Sequence, residues 1–239
     1  MCIKYLVVLC FALALSLAEA QDLSFITSCK AEDSKCHKQS TQQAIPVFAA
    51  GIPELNVEQL DPMYMKHIDA NQSNLMLVIT DTTITGLKDC EAKRVQREPD
   101  NSKLYIRMLC DCELHGQYEM NGQMFLLPIK GEGPLSAKIN KLYIAVDADL
   151  GEEVREGNTY WTLNSFTHSF ELKGTSEVNF GNLFPDNELL RKTANDLISR
   201  NGNDVVREIG GPVIVAAITK VVKNVENFFQ IVPADKLTL

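Results

Sequence analysis

The alternation of hydrophobic and polar positions changes rhythm twice along the chain. Over residues 35–50 apolar side chains are sparse until Ala44, Ile45, Val47 and Phe48, which predicts a short amphipathic helix stopped at Gly51-Ile52-Pro53. A turn-rich segment leads on to Asp61-Pro62. Runs rich in β-branched and aromatic residues then predict strands at 75–84, 103–110, 113–120, 123–130, 135–146, 159–172 and 175–180. Asn121-Gly122 lies between two of these runs and is a pair that a tight hairpin favours, because both residues tolerate positive φ. No helical pattern of crossover length separates the runs, so neighbouring strands are expected to pair antiparallel.

From residue 186 to residue 230 the rhythm becomes helical, with a break at Asn201-Gly202 and a start signal near Asn203-Asp204. Val206, Ile209, Val213, Ala217, Val221, Val225 and Phe228 recur at spacings of three and four, and Ile214, Ile218 and Val222 widen the stripe. Lys220, Lys223, Asn224, Asn227 and Gln230 share the opposite side. Residues 213–218 are apolar all round for about two turns, so that stretch is expected to be covered almost completely, as a sheet wrapped about it would do. Pro212 either kinks this helix or opens it. Strands followed by a buried helix indicate an α+β fold.

Met1-Cys2-Ile3-Lys4, an apolar stretch over residues 5–17 and Ala18-Glu19-Ala20 follow the order of a secretory leader cut after Ala20. An apolar stretch of 13 residues is too short to span a bilayer. Residues 21–239 are therefore read as one mature domain, since no linker, repeat or low-complexity tract divides them. With Lys4 and Glu19 removed, 22 basic residues (23 less one) face 30 acidic ones (31 less one), and the net charge stays at −8. An acidic chain without a basic patch disfavours nucleic acid and anionic membrane surfaces as partners, and no stable membrane insertion is expected.

Five cysteines follow the leader: Cys29, Cys36, Cys90, Cys110 and Cys112. In a secreted chain Cys29 and Cys36 read as a local disulfide, whose short loop stabilises by roughly 2.5 kcal/mol. Cys110 and Cys112 fall on one face of a strand, and Cys90 can pair with either. Asn71-Gln72-Ser73 is an N-glycosylation acceptor, with Asn71 in a polar connection.

Catalytic and metal chemistry find little support. Gly174-Thr175-Ser176-Glu177-Val178 lacks the final glycine of a nucleophile elbow. His37, His67, His115 and His168 are scattered, and Cys-Asp-Cys with His115 nearby does not make a zinc set. The acidic run at residues 147–153 lacks the ligand spacing of a calcium loop and reads as a solvated hairpin. Gly131-Glu132-Gly133 lacks the lysine of a phosphate loop and reads as a turn. Neither a cofactor nor a metal is called for, and no catalytic residue is assigned.

Several features in order bring a family into view. They are the pair Cys29 and Cys36, Gly51-Ile52-Pro53-Glu54-Leu55 with Leu60-Asp61-Pro62, and Ile84-Thr85-Gly86-Leu87. Gly116-Gln117-Tyr118, Asn121-Gly122 and Gly131-Glu132-Gly133-Pro134 follow, and then Asn182-Leu183-Phe184, the long apolar helix, Phe228-Phe229 and Val232-Pro233. With these the mature chain resembles the insect takeout and juvenile-hormone-binding protein family over nearly its whole length. No cysteine follows Cys112, and Pro134-Leu135-Ser136-Ala137 stands where the hormone-binding branch places tyrosines, so the resemblance is to the takeout branch.

The resemblance implies a long C-terminal helix wrapped by a strongly curved antiparallel sheet that encloses an elongated apolar cavity. It implies a secreted carrier, in haemolymph or a related fluid, of a small hydrophobic ligand: a terpenoid such as juvenile hormone, a fatty-acid derivative or a quinone. Feeding, circadian and chemosensory roles are linked to the family. Residues expected to line the cavity are Val213, Ile214, Ala217 and Val221 on the helix and Phe125, Leu142, Ile144, Trp161 and Phe166 on strands. A buried apolar residue belongs more often to an ordinary packed core than to a cavity wall, and each of these residues suits that reading as well. Tyr118, Tyr143 and Tyr160 are candidates to meet a ligand oxygen and equally suit strand positions with solvated hydroxyls. The alternative is a secreted interaction protein whose helix completes a packed core and whose surface acts.

Overall fold

The computed structural model describes residues 23–100 and 102–239; the leader expected at residues 1–20 lies outside the described residues. Helix α1 (Ser34–Ala50) is followed by strands β1 (Met63–Asp69), β2 (Leu75–Thr85), β3 (Glu91–Arg97), β4 (Lys103–Met124), β5 (Leu127–Arg155), β6 (Asn158–Leu172) and β7 (Ser176–Phe180). Helices α2 (Glu188–Arg200), α3 (Gly202–Ile209) and α4 (Gly211–Ile231) complete the chain, with short 3-10 turns at Pro53–Leu55, Leu87–Asp89 and Ala234–Lys236.

All strand pairs are antiparallel and form one seven-stranded sheet. Its spine is the β4–β5 hairpin, whose strands of 22 and 29 residues are joined through Phe125 and Leu126, both at positive φ. At about 3.3 Å per residue β4 alone extends for roughly 70 Å, several times a usual strand. Shorter strands tile the two edges of this spine. Along β4, β3 pairs residues 104–109 and β2 pairs residues 113–122; along β5, β7 pairs residues 135–139 and β6 pairs residues 142–155.

The tiles meet at a common waist. There β4 and β5 lose register between Cys110 and Cys112, because Asn140 and Lys141 on β5 oppose Asp111 alone. Such a bulge bends the strand and increases its twist. The Asp111 carboxylate accepts from the Lys141 amide at 2.6 Å, and the Asn140 amide donates to the Thr175 carbonyl at 2.9 Å. The bend gives the sheet the concave face into which the last helix drops.

Several sequence expectations are corrected. The runs 103–110, 113–120 and 123–130 are not separate strands. Asn121-Gly122 lies inside β4, where Gly122 takes φ +146° because a Cβ there would stand 2.3 Å from the Asn74 carbonyl oxygen. Gly131-Glu132-Gly133 and the acidic run at 147–153 are both internal to β5, and the next tight turn falls at Glu156-Gly157. Strands β1 and β3, absent from the sequence reading, complete one edge.

The helical region breaks at Asn201, as its sequence predicts, and again at Gly210. Pro212 falls in the first turn of α4, where its missing N–H costs nothing, so it opens this helix. Gly202 starts α3 against β7; a Cβ there would meet the Ser176 carbonyl oxygen at 1.8 Å. Helix α4 closes the open side of the curved sheet and is not covered all round. Val215, at 36% exposure, lines up with Thr219 and Lys223 on its solvent face. Asn224 is buried instead of belonging to the wet side: its Oδ1 accepts from the Glu58 amide at 2.6 Å and its Nδ2 donates to the Lys220 carbonyl.

Candidate ligand-binding cavity

Between the concave face and α4 lies a cavity of about 420 Å³. Its wall follows α4 from Val213 to Phe229 and continues onto α3 at Val205. Sixteen residue steps of 1.5 Å make that wall about 24 Å long, so the cavity is elongated. On β4 every second residue from Leu104 to Leu114 faces it. On β5 the inward set is Leu135, Ala137 and Ile139 before the waist and Leu142, Ile144, Val146, Ala148 and Leu150 after it. The extra residue in the bulge changes the parity from odd to even, and both halves of the strand thereby present aliphatic side chains inward.

Of the nine residues expected to line the cavity, the structure places Leu142, Ile144, Trp161, Val213, Ile214, Ala217 and Val221 on its wall. Phe125 is not there: it sits in the β4–β5 turn, and its amide donates to Glu208 Oε1 at 2.8 Å. Phe166, opposite Ala148, packs against both major core clusters and fills volume without bordering the cavity. The tyrosines are elsewhere too. Tyr118 is buried, donates to the Gly181 carbonyl at 2.7 Å and has its pKa pushed up to about 12, chiefly by burial. Tyr143 and Tyr160 are covered by the cations of Lys173 and Arg155.

Polar groups that the sequence reading passed over gather at the α1 end. His37, Ser40 and Thr41 lie at i, i+3 and i+4 on α1 and face the cavity with Thr27 and Arg97. The Thr27 amide donates to Ser40 Oγ at 2.8 Å, and His37 Nε2 lies 3.3 Å from the Ala31 carbonyl. Arg97 is 4% exposed; its guanidinium stands 5.3 Å from the centre of the Trp161 ring and donates to the Cys29 carbonyl at 3.4 Å. Burial lowers its pKa against the pull of Glu32 and Glu152. Burial, then the neighbouring Arg97 charge, holds His37 below the usual histidine range. A clue exists in β3, where the buried positions Ala92, Val95 and Arg97 place a cation where an apolar residue is expected.

Two disulfides border this half. Cys29–Cys36 ties the start of α1, where Asp33 caps the helix by accepting from the Cys36 amide at 2.9 Å. Cys90–Cys110 resolves the pairing that spacing left open and sits at the waist. Gln42 of α1 fastens it, donating to the Cys90 carbonyl at 3.1 Å and accepting from the Ala92 amide at 2.8 Å. Cys112 remains a free thiol on the cavity wall, and burial, then Asp111 and Asp61, pushes its pKa up to about 12. Asn71 is exposed; its Oδ1 accepts from the Leu77 amide, which leaves Nδ2 as the atom a glycan would take. No helix of the described residues is long and apolar enough to cross a membrane.

Comparison with known proteins agrees with this architecture. The profile described as haemolymph juvenile hormone binding protein (JHBP) matches residues 6–239. The circadian clock-controlled protein daywake of Drosophila melanogaster is 25% identical over 176 residues, which cover 68% of this chain and 67% of that protein. A putative beta-carotene-binding protein of Schistocerca gregaria is 24% identical over 160 residues, 65% of this chain and 64% of its own. The crystal structure of Epiphyas postvittana Takeout 1 superposes with a TM-score of 0.84 at 28% identity, covering 89% of this chain and 99% of that one.

Proposed function

The chain belongs to the haemolymph juvenile hormone binding protein family, and from that premise we propose that it is a secreted carrier of a small hydrophobic ligand. The ligand class is a terpenoid, a fatty-acid derivative or a quinone, held in the internal cavity and released without chemical change. The carrying observation is the aliphatic wall of that cavity over both halves of the sheet and along α4. An apolar cavity of about 150 Å³ stays dry and takes up benzene. This one, at about 420 Å³, suits a considerably larger guest.

Affinity would come from removing hydrocarbon from water. At about 0.8 kcal/mol per buried CH₂, ten buried carbons contribute roughly 8 kcal/mol before the cost of ordering the ligand. The leader-like sequence, the two disulfides and the exposed acceptor Asn71 support a secreted, glycosylated protein. Similarity to a circadian clock-controlled protein and to a putative beta-carotene-binding protein supports a lipophilic cargo and a circadian setting.

The test is native mass spectrometry of protein secreted from insect cells, followed by organic extraction. A stoichiometric lipophile is expected. A protein that emerges empty and refuses terpenoids, fatty acids and quinones alike would sink the proposal and favour an interaction protein with a packed core.

A further inference from the structure

The two ends of the cavity differ in chemistry. At the α3 end its wall is Val205, Val206, Ile209, Val213, Val178 and Phe180, with no side chain able to donate a hydrogen bond. At the α1 end Arg97, His37, Ser40, Thr41 and Thr27 converge. A ligand oxygen placed at the first end would be stripped of water without compensation, which is costly. At the second it would meet donors. The deepest of these is a guanidinium, and its planar fork matches a carboxylate in geometry and charge.

Arg97 also separates two compartments. It borders the internal cavity and, on its other side, an outer polar pocket lined by Lys30, Glu32, Pro99 and the last residues Thr238 and Leu239. Trp161 fixes the guanidinium from one side, the Cys29 carbonyl accepts from it, and the charges of Glu32 and Glu152 act on it. A buried cation among aliphatic walls is expensive unless it is matched by charge or hydrogen bonds. An acid head entering from the cavity would meet the guanidinium on its inner face, in addition to the partners it already has.

We propose that the α1 end is a head-group site for the carboxylate of a long-chain acid, with Arg97 as its counter-ion, Ser40 and Thr41 as hydroxyl donors, and the acyl chain lying along α4 toward Gly210. This inference rests on the carrier reading and narrows it to one ligand class. The wall of about 24 Å accommodates an extended long-chain tail. Neutral esters and hydrocarbons would use the same trough without the charge-assisted bond.

The experiment compares palmitic acid with methyl palmitate on the delipidated full-length protein and on Arg97→Met, which keeps an unbranched apolar stem and removes the guanidinium and its charge. The native protein is expected to bind the acid at least about tenfold tighter than the ester, and the variant to level the two. Equal binding by the native protein, or an unchanged ratio in the variant, overturns the head-group site and leaves the carrier standing. If neither lipid nor any other lipophile binds, the carrier reading falls and this inference with it. Should Arg97→Met fail to fold, carboxyl-labelled palmitate bound to the native protein decides by carbon NMR. A carboxyl that stays ionised well below the titration midpoint of the free acid supports the site, and one that titrates like the free acid overturns it.

Discussion

The half of the molecule under α1 and the half under α3 enclose the same cavity by different means. The α1 half is bolted. Cys29–Cys36 and Cys90–Cys110 border it, the Leu239 amide donates to the Cys29 carbonyl, and Phe48 and Phe228 stack edge-on with centroids 5.0 Å apart. The α3 half has no cross-link among the described residues and is held by packing of Ile198, Val205, Val206 and Ile209 beneath β7 and the spine. The lesson is that one end of a binding trough can carry polar groups at a fixed position because covalent bonds hold it, while the other only has to exclude water.

The comparison breaks most severely if the bolts are removed. Replacing all four bridged cysteines by serine should cost roughly 6 kcal/mol by the loop-closure model, and hydrogen exchange should rise first over α1 and β3. Uniform loosening of both halves would erase the distinction drawn here. Next in size, Ile209→Ala should destabilise by about 3 kcal/mol in denaturant unfolding and raise exchange over residues 186–211 while α1 keeps its protection. A response concentrated in α1 would show that the halves do not yield separately.

Cys112 tests how well the waist is sealed. With a pKa near 12 and a buried position, it should react with a thiol reagent at pH 8 about a thousandfold more slowly than an exposed cysteine, until denaturant is added. Rapid labelling of the native protein would mean that the cavity is open to water at its middle. The smallest effect belongs to His37. Its folded pKa lies below 6.5, so the fold prefers the neutral ring. Its contribution is fully present above the unfolded value and is lost as pH falls through the folded one. Between pH 7 and pH 5 the native Tm should therefore drop slightly more than that of His37→Gln; an equal drop in both would remove His37 from the account.

The broad order of elements is legible in the sequence because it rests on local periodicity. Strands precede helices, the last helix carries the apolar stripe, Asn201 marks a boundary as the C-cap of α2, and Pro212 marks another by its missing N–H. The extent of β4 and β5 is not legible, since Asn121-Gly122 and Gly131-Glu132-Gly133 carry turn chemistry that the structure uses for close backbone approach. Long-range contacts with Asn74, Leu183 and Gly181 decide those glycines, and no local pattern reports them. On the cavity wall, the helix positions follow from the stripe. Phe125 falls off the wall because its strand ends one residue earlier, and Arg97 is not legible because a single charge on a short strand resembles surface.

The bulge at Asn140 and Lys141 also gives β5 an unusual tolerance map. Losing one residue elsewhere along its pairing with β4 would turn every side chain on one side of the deletion to the opposite face, exchanging aliphatic wall for Lys138 or Asp147. Losing Asn140 would not: Ile139, Lys141 and Leu142 would then oppose Cys112, Asp111 and Cys110 in plain succession, with each inward residue still inward. What would vanish is the bend. In a lineage of such chains, single-codon deletions could accumulate at this seam and change the curvature of the trough, and hence the guest it fits, while the pattern of inward side chains passed on intact.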